Sequence, residues 1–145
     1  MRRADSTLSA ESRENPESPP NECATICKVL ERVLIVDDHP PFRTVARELL
    51  ERAGYIVTGE AGGAAEALAA AAAQSPDAVL LDVQLPDADG FAVAAALAAD
   101  GGPAVVLISS READDYGRRI AECGARGFIS KSKLSAAALE AILAA

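Results

Sequence analysis

The sequence has no tryptophan, one histidine, three cysteines and only five aromatic residues among 145, and its 14 basic side chains are outnumbered by 22 acidic ones. Each scarcity excludes something. A formal charge of -8 and a pI near 4.6 argue against a nucleic-acid footprint, which needs clustered Lys and Arg to neutralise phosphates. The longest apolar stretches are alanine runs, far short of the roughly 20 residues that cross a bilayer. Two arginines near the start are not followed by an apolar h-region, so no secretory leader is expected. An odd cysteine count, in a chain long enough to build a core without staples, points to the reducing cytoplasm. Cys23 and Cys27 form a C-x3-C pair without a second ligand pair at zinc-like spacing, and read as ordinary thiols; Cys123 reads as a small packing residue. No G-x-G-x-x-G or P-loop follows the first apolar run, and Gly62-Gly63 lacks the surrounding pattern, which argues against a nucleotide-binding fold.

What is present divides in two. Residues 1–28 are rich in Ser, Glu, Asn, Pro and Arg without sustained periodicity, and are expected to form a disordered tail because they bury too little to offset ordering entropy. The tail takes four basic and five acidic residues, leaving ten and seventeen for residues 29–145, the expected single domain. There, short aliphatic runs alternate with helix-periodic stretches. RVLIVDD (32–38), YIVTGEA (55–61), DAVLLDV (77–83), AVVLISS (104–110) and RGFISK (126–131) read as strands. After Pro40 and Pro41, the residues Phe42, Val45, Ala46, Leu49, Leu50 and Ala53 line one helix face that stops at Gly54. AAEALAAAAAQS, FAVAAALAAD, READDYGRRIAECG and SKLSAAALEAILAA supply four more helices, the fourth polar and less regular, and LPDADG reads as a loop. Five strands alternating with five helices predict an α/β fold with a doubly wound, five-stranded parallel sheet in the flavodoxin-like order 2-1-3-4-5.

In such a sheet the functional crevice lies at the carboxyl ends of the strands. Those ends carry Asp37 and Asp38, Asp82, Ser109 and Ser110, and Lys131. Three converging carboxylates repel one another unless a cation or proton intervenes, and Mg2+, a hard ion that takes one or two carboxylates and keeps several waters, removes the repulsion. A carboxylate nucleophile, Mg2+, a lysine and a hydroxyl donor are the parts of a phosphoryl-transfer site. Asp82, alone at a central strand end, is the candidate nucleophile, and the adjacent Asp37 and Asp38 suit the metal.

VLIVDDHPPFR, Asp82 followed by LPDADG, VVLISS and GARGFISKS, in this order and spacing over residues 31–145, resemble the receiver domain of two-component response regulators. The first and last motifs are most similar to receivers that carry a LuxR-type output domain. The resemblance implies that Asp82 accepts the phosphoryl group and also belongs to the metal set, that Asp38 binds Mg2+ directly and Asp37 mainly through water, and that the backbone carbonyl of Gln84 completes the metal contacts. It implies that Ser109 hydrogen-bonds a phosphoryl oxygen and that Lys131 pairs with the phosphoryl group. A histidine kinase or phosphotransfer protein would be the donor and a downstream protein the recipient of the signal; a homodimer formed on phosphorylation stays open. Movement of Ser109 would be coupled to Phe128 on the last strand, reshaping the surface of the fourth helix, fifth strand and fifth helix. Gln84 and Arg111 stand where the family tunes access of the hydrolytic water. Ser132 replaces the proline that often follows the lysine, so a cis peptide is not assumed there.

Blander readings apply to single residues. His39 fits a solvated loop residue better than an Mg2+ ligand, and DADG lacks the closing Glu of a calcium loop. Two alternatives to a phosphorylation switch are a phosphorylation-independent scaffold of the same fold and an aspartate-nucleophile phosphatase, whose paired aspartates would stand two apart rather than adjacent. The sequence closes on its fifth helix, which fits a stand-alone receiver or a piece of a longer regulator, and Met1 with the long tail favours the former.

Overall fold

The computed structural model describes residues 32–144. The expected tail, Cys23, Cys27 and the outermost residues of the expected domain lie outside them. The chain runs β1 (Arg32–Val36), α1 (Pro40–Arg52), β2 (Ile56–Ala61), α2 (Ala64–Gln74), β3 (Ala78–Asp82), α3 (Gly90–Ala98), β4 (Ala104–Ser109), α4 (Arg119–Glu122), β5 (Gly127–Ser130) and α5 (Ala136–Leu143). The strands form one parallel sheet in the order β2-β1-β3-β4-β5. The expected architecture is the observed one.

β1, β3 and β4 fill the centre because they are apolar on both faces and helices cover both sides. Alternation along each strand divides the core. Leu34, Val36, Val79, Leu81, Val105 and Leu107 face Ala67, Phe91, Ala94 and Leu97 of α2 and α3. Val33, Ile35, Leu80, Val106 and Ile108 face Ala46 and Leu50 of α1 and Leu139 and Leu143 of α5. Fully burying one such Leu or Ile side chain contributes about 1.5–3 kcal/mol, so a one-residue slip of a central strand is strongly disfavoured. β2 is an edge strand, and its IVTGEA is correspondingly only half-buried. No helix among the described residues is long and apolar enough to cross a membrane.

Three expectations need correction. READDYGRRIAECG is not one helix: it forms a 3-10 turn at Ala113–Asp115 and the single-turn α4. A reciprocal capping box between Glu112 and Asp115 closes the first turn, and Gly117 breaks the stretch with a left-handed φ of +59°. Likewise, α5 begins only after Ser135, whose hydroxyl accepts the N–H of Ala138 at 3.0 Å, while Lys131–Lys133 form a separate 3-10 turn. On α1, Val45 is exposed rather than part of the buried face.

Candidate functional site

Parallel strands bring their carboxyl ends to one edge, and that edge gathers the predicted acidic residues. Asp37 and Asp38 follow β1 directly, Asp82 is the last residue of β3, and one carboxylate oxygen from each lies within 4.8 Å of the others. Asp37 is fully buried and Asp82 nearly so, whereas Asp38 is exposed. Lys131, the residue after β5, reaches across β4 to both buried carboxylates, with Nζ 2.6 Å from Asp37 Oδ2 and 3.3 Å from Asp82 Oδ2. Lys131 is the partner of Asp37 Oδ2, an oxygen that no backbone N–H reaches.

The other oxygens are held by backbone. Asp37 Oδ1 accepts the N–H of His39 at 2.8 Å, and Asp82 Oδ1 accepts the N–H of Gln84 at 3.0 Å. Burial pushes the Asp82 carboxyl above the ordinary carboxylate range; the Gln84 N–H opposes this, Asp37 adds to it and Lys131 opposes it. For Lys131 burial acts to lower the pKa, but Asp37 and Asp82 outweigh it and the ammonium is held above its usual value. Three carboxylates against one ammonium leave two negative charges in excess. An all-oxygen donor set with that excess fits a small divalent cation.

The loop after Asp82 is pinned at several points. Gln84 and Asp89 form an antiparallel bridge, and Asp89 caps α3 by accepting the N–H of Phe91 at 3.0 Å. A Cβ on Gly90 would stand 2.5 Å from the carbonyl oxygens of Asp82 and Val83, so only glycine lets α3 start this close to the strand end. Asp87 leaves the loop to cap α2, accepting the N–H groups of Ala64 at 2.7 Å and Ala65 at 3.1 Å, a role that Gly63 at the N-cap cannot fill.

Ser109 is at the end of β4, fully buried, and Phe128 is half-buried on β5 on the same side of the sheet. Neither hydrogen bond of Ser109 Oγ goes to Asp82 or Lys131: the oxygen accepts the N–H of Arg111 at 3.1 Å and bonds the Tyr116 hydroxyl at 2.7 Å. Sequence reasoning missed Tyr116, and it missed Phe42, read only as part of a helix face. The Lys131 ammonium lies 4.6 Å from the Phe42 ring centroid, a cation–π contact. It also missed Arg43, whose guanidinium donates to the Asp37 carbonyl at 2.5 Å while pairing with Glu60 at 3.1 Å. The aromatic scarcity held a signal, for three of the five aromatic rings, Phe91, Tyr116 and Phe128, meet beside Ser109.

The family model described as "Response regulator receiver domain" matches residues 33–143. Among curated proteins, one named as a transcriptional regulator in Pseudomonas aeruginosa is 42% identical over 103 residues, covering 70% of this chain and 50% of that protein. The transcriptional regulatory protein NarL of Mycobacterium tuberculosis is 37% identical over 114 residues, covering 77% and 53%. The chain thus spans about half the length of the curated relatives it matches. Among solved structures, the signal receiver domain of M. tuberculosis NarL superposes with a TM-score of 0.67 at 36% identity, covering 78% of this chain and 96% of that one. A LuxR-family two-component response regulator from Aurantimonas sp. SI85-9A1 gives a TM-score of 0.70 at 33% identity, covering 78% and 82%.

Proposed function

The chain belongs to the response regulator receiver domain family of two-component signalling, related to LuxR-type regulators, and on that footing we propose that it is a phosphorylation-controlled switch whose phosphoacceptor is Asp82. Relatives of this kind point to a kinase upstream and an effector downstream. The observation that carries the reading is the convergence at one sheet edge of three carboxylate oxygens within 4.8 Å and one lysine that contacts two of them.

In the proposed reaction an Oδ atom of Asp82 attacks phosphorus, an O–P bond forms, and the N–P bond of the donor phosphohistidine breaks, its imidazole taking up a proton. Hydrolysis later cleaves that O–P bond with water and returns the carboxylate and inorganic phosphate. Asp38 would hold Mg2+ directly and Asp37 mainly through water, with the Asp82 carboxylate and the Gln84 carbonyl completing the set, and the ion would supply charge neutralisation for the transferring oxygens. The protein does the positioning. Lys131 is already poised at 3.3 Å from Asp82 Oδ2, and the Gln84 N–H orients the other oxygen. The phosphoryl group adds about -1.5 to -2 charge at a buried strand end, which draws charge-assisted hydrogen bonds from Lys131 and Ser109. Phe128 and the face formed by α4, β5 and α5 are the proposed readout, presented to a downstream protein.

Incubation with a small phosphodonor and Mg2+ is expected to add the mass of one phosphoryl group to the intact chain, and Asp82→Asn is expected to take up none. An equal yield in that variant would overturn the assignment. Partner binding that ignores phosphorylation would favour a constitutive scaffold instead.

A further inference from the structure

Tyr116 links Ser109 to Phe128 in this chain. The phenol of Tyr116 is bonded to Ser109 Oγ at 2.7 Å, and its ring packs against both Phe128, at 5.7 Å between centroids and 52°, and Phe91, at 5.3 Å and 63°. Phe128 has no hydrogen-bonding atom to exchange with Ser109. The phenol is the only side-chain group bonded to Ser109 among the described residues.

A serine hydroxyl has one proton to donate and two lone pairs to accept with. The Arg111 N–H takes one lone pair. Either oxygen can be the donor in the bond to Tyr116, which occupies the Ser109 proton when Ser109 donates and its second lone pair when Tyr116 does, and in both cases ties Oγ to the phenol. A phosphoryl oxygen on Asp82 is a charged acceptor, and hydrogen bonds to ionised acceptors are roughly twice as strong as neutral ones, so the phosphoryl group wins the proton. Turning Oγ toward the phosphoryl group to deliver that proton then stretches its bond to Tyr116. The stretch that bears it is poorly secured: a 3-10 turn, the left-handed Gly117 and four α-helical residues. Its further ties are Ile120, which packs against the core, and Arg119, which pairs with Asp89 at 2.5 Å and stacks 4.2 Å over the Phe91 ring.

We propose that Tyr116 is the positioning residue of the switch: its phenol holds the Ser109 hydroxyl away from Asp82 in the unphosphorylated chain, and its release passes the change to residues 113–122 and Phe128. The inference rests on Asp82 being the phosphoacceptor. It differs from a direct exchange between Ser109 and Phe128, because the moving part is the segment 113–122 that carries Tyr116 and ends in α4.

The test uses the full chain with ring-labelled tyrosine, whose two tyrosines give two sets of aromatic NMR signals that Tyr116→Phe assigns. Beryllium fluoride with Mg2+ is the phosphoryl mimic, and fluorine NMR reports its binding independently. Binding is expected to shift the Tyr116 ring signals, and Ser109→Ala is expected to shift them in the same direction without the mimic. Tyr116→Phe, which keeps the ring contacts and frees the Ser109 hydroxyl, is expected to bind the mimic about three- to tenfold more tightly, the fold-change of one neutral hydrogen bond. A bound mimic that leaves the Tyr116 ring unmoved, or unchanged or weaker binding by Tyr116→Phe, overturns the inference and leaves Asp82 in its role. Failure of the mimic to bind the unaltered chain overturns the phosphoacceptor reading and the inference with it.

Discussion

Lys131 carries the charge balance of the site. Asp37 has no exposure to solvent, and its Oδ2 depends on the lysine ammonium at 2.6 Å. Lys131→Met leaves that buried carboxylate beside Asp82 without a counter-charge, and breaking such a pair costs on the order of 3 kcal/mol. Chemical denaturation is expected to show this loss in the absence of divalent ions and to recover most of it in saturating Mg2+. A loss that Mg2+ does not touch would place the ion elsewhere. Glu60, on the edge strand, offers a second residue-level test. The hydrogen bond from Arg47 lowers its pKa most, burial opposes this, and Arg43 lowers it further. A carboxyl whose folded pKa is depressed stabilises the fold above its unfolded value of about 4.3 and loses that contribution as pH falls through the folded value. Glu60→Gln is therefore expected to lower the urea midpoint at neutral pH and to flatten its decline in acid; a decline parallel to that of the unaltered chain would contradict the ion-pair account.

Among the elements, α2 depends on a residue that lies outside it. Its N-cap is Gly63, without a capping side chain, and Asp87 caps it from the loop that follows Asp82. Asp87→Ala is expected to lower the urea midpoint, and to speed hydrogen exchange at the Ala64 and Ala65 amides before that of the central strands. Unchanged exchange at those amides would show that the cap contributes nothing. Contacts of this kind explain which elements were legible in the sequence. Runs such as RVLIV and AVVLIS announce themselves because strands buried on both faces must be apolar throughout, and their carboxyl ends then mark Asp37, Asp38, Asp82 and Lys131 as neighbours at one sheet edge. α4 was not legible, because a polar stretch with a glycine in it satisfies helical composition without revealing where its turns break. Tyr116 and Phe42 were hidden for a related reason: each touches the site only through a fold that brings separate segments together, and no local pattern distinguishes a ring beside Ser109 from a ring in a core.

For the whole molecule, the parallel order β2-β1-β3-β4-β5 makes the site. It sets the ends of β1 and β3 side by side at the centre, with β4 and β5 delivering Ser109 and Lys131 from one flank. The same topology joins that centre to a surface: Ser109 leads through Tyr116 to Phe128 and to the short fourth helix, the least regular of the five. The acidity that first argued against nucleic acid is in part this site, where three carboxylates exceed one ammonium by two charges. The most direct test treats the chain with a small phosphodonor and Mg2+, reduces it with borohydride, which converts an aspartyl phosphate to homoserine, and maps the peptides by mass spectrometry. The account predicts homoserine at position 82 alone, and none when Mg2+ is chelated. Conversion at another aspartate, or at none, would contradict it.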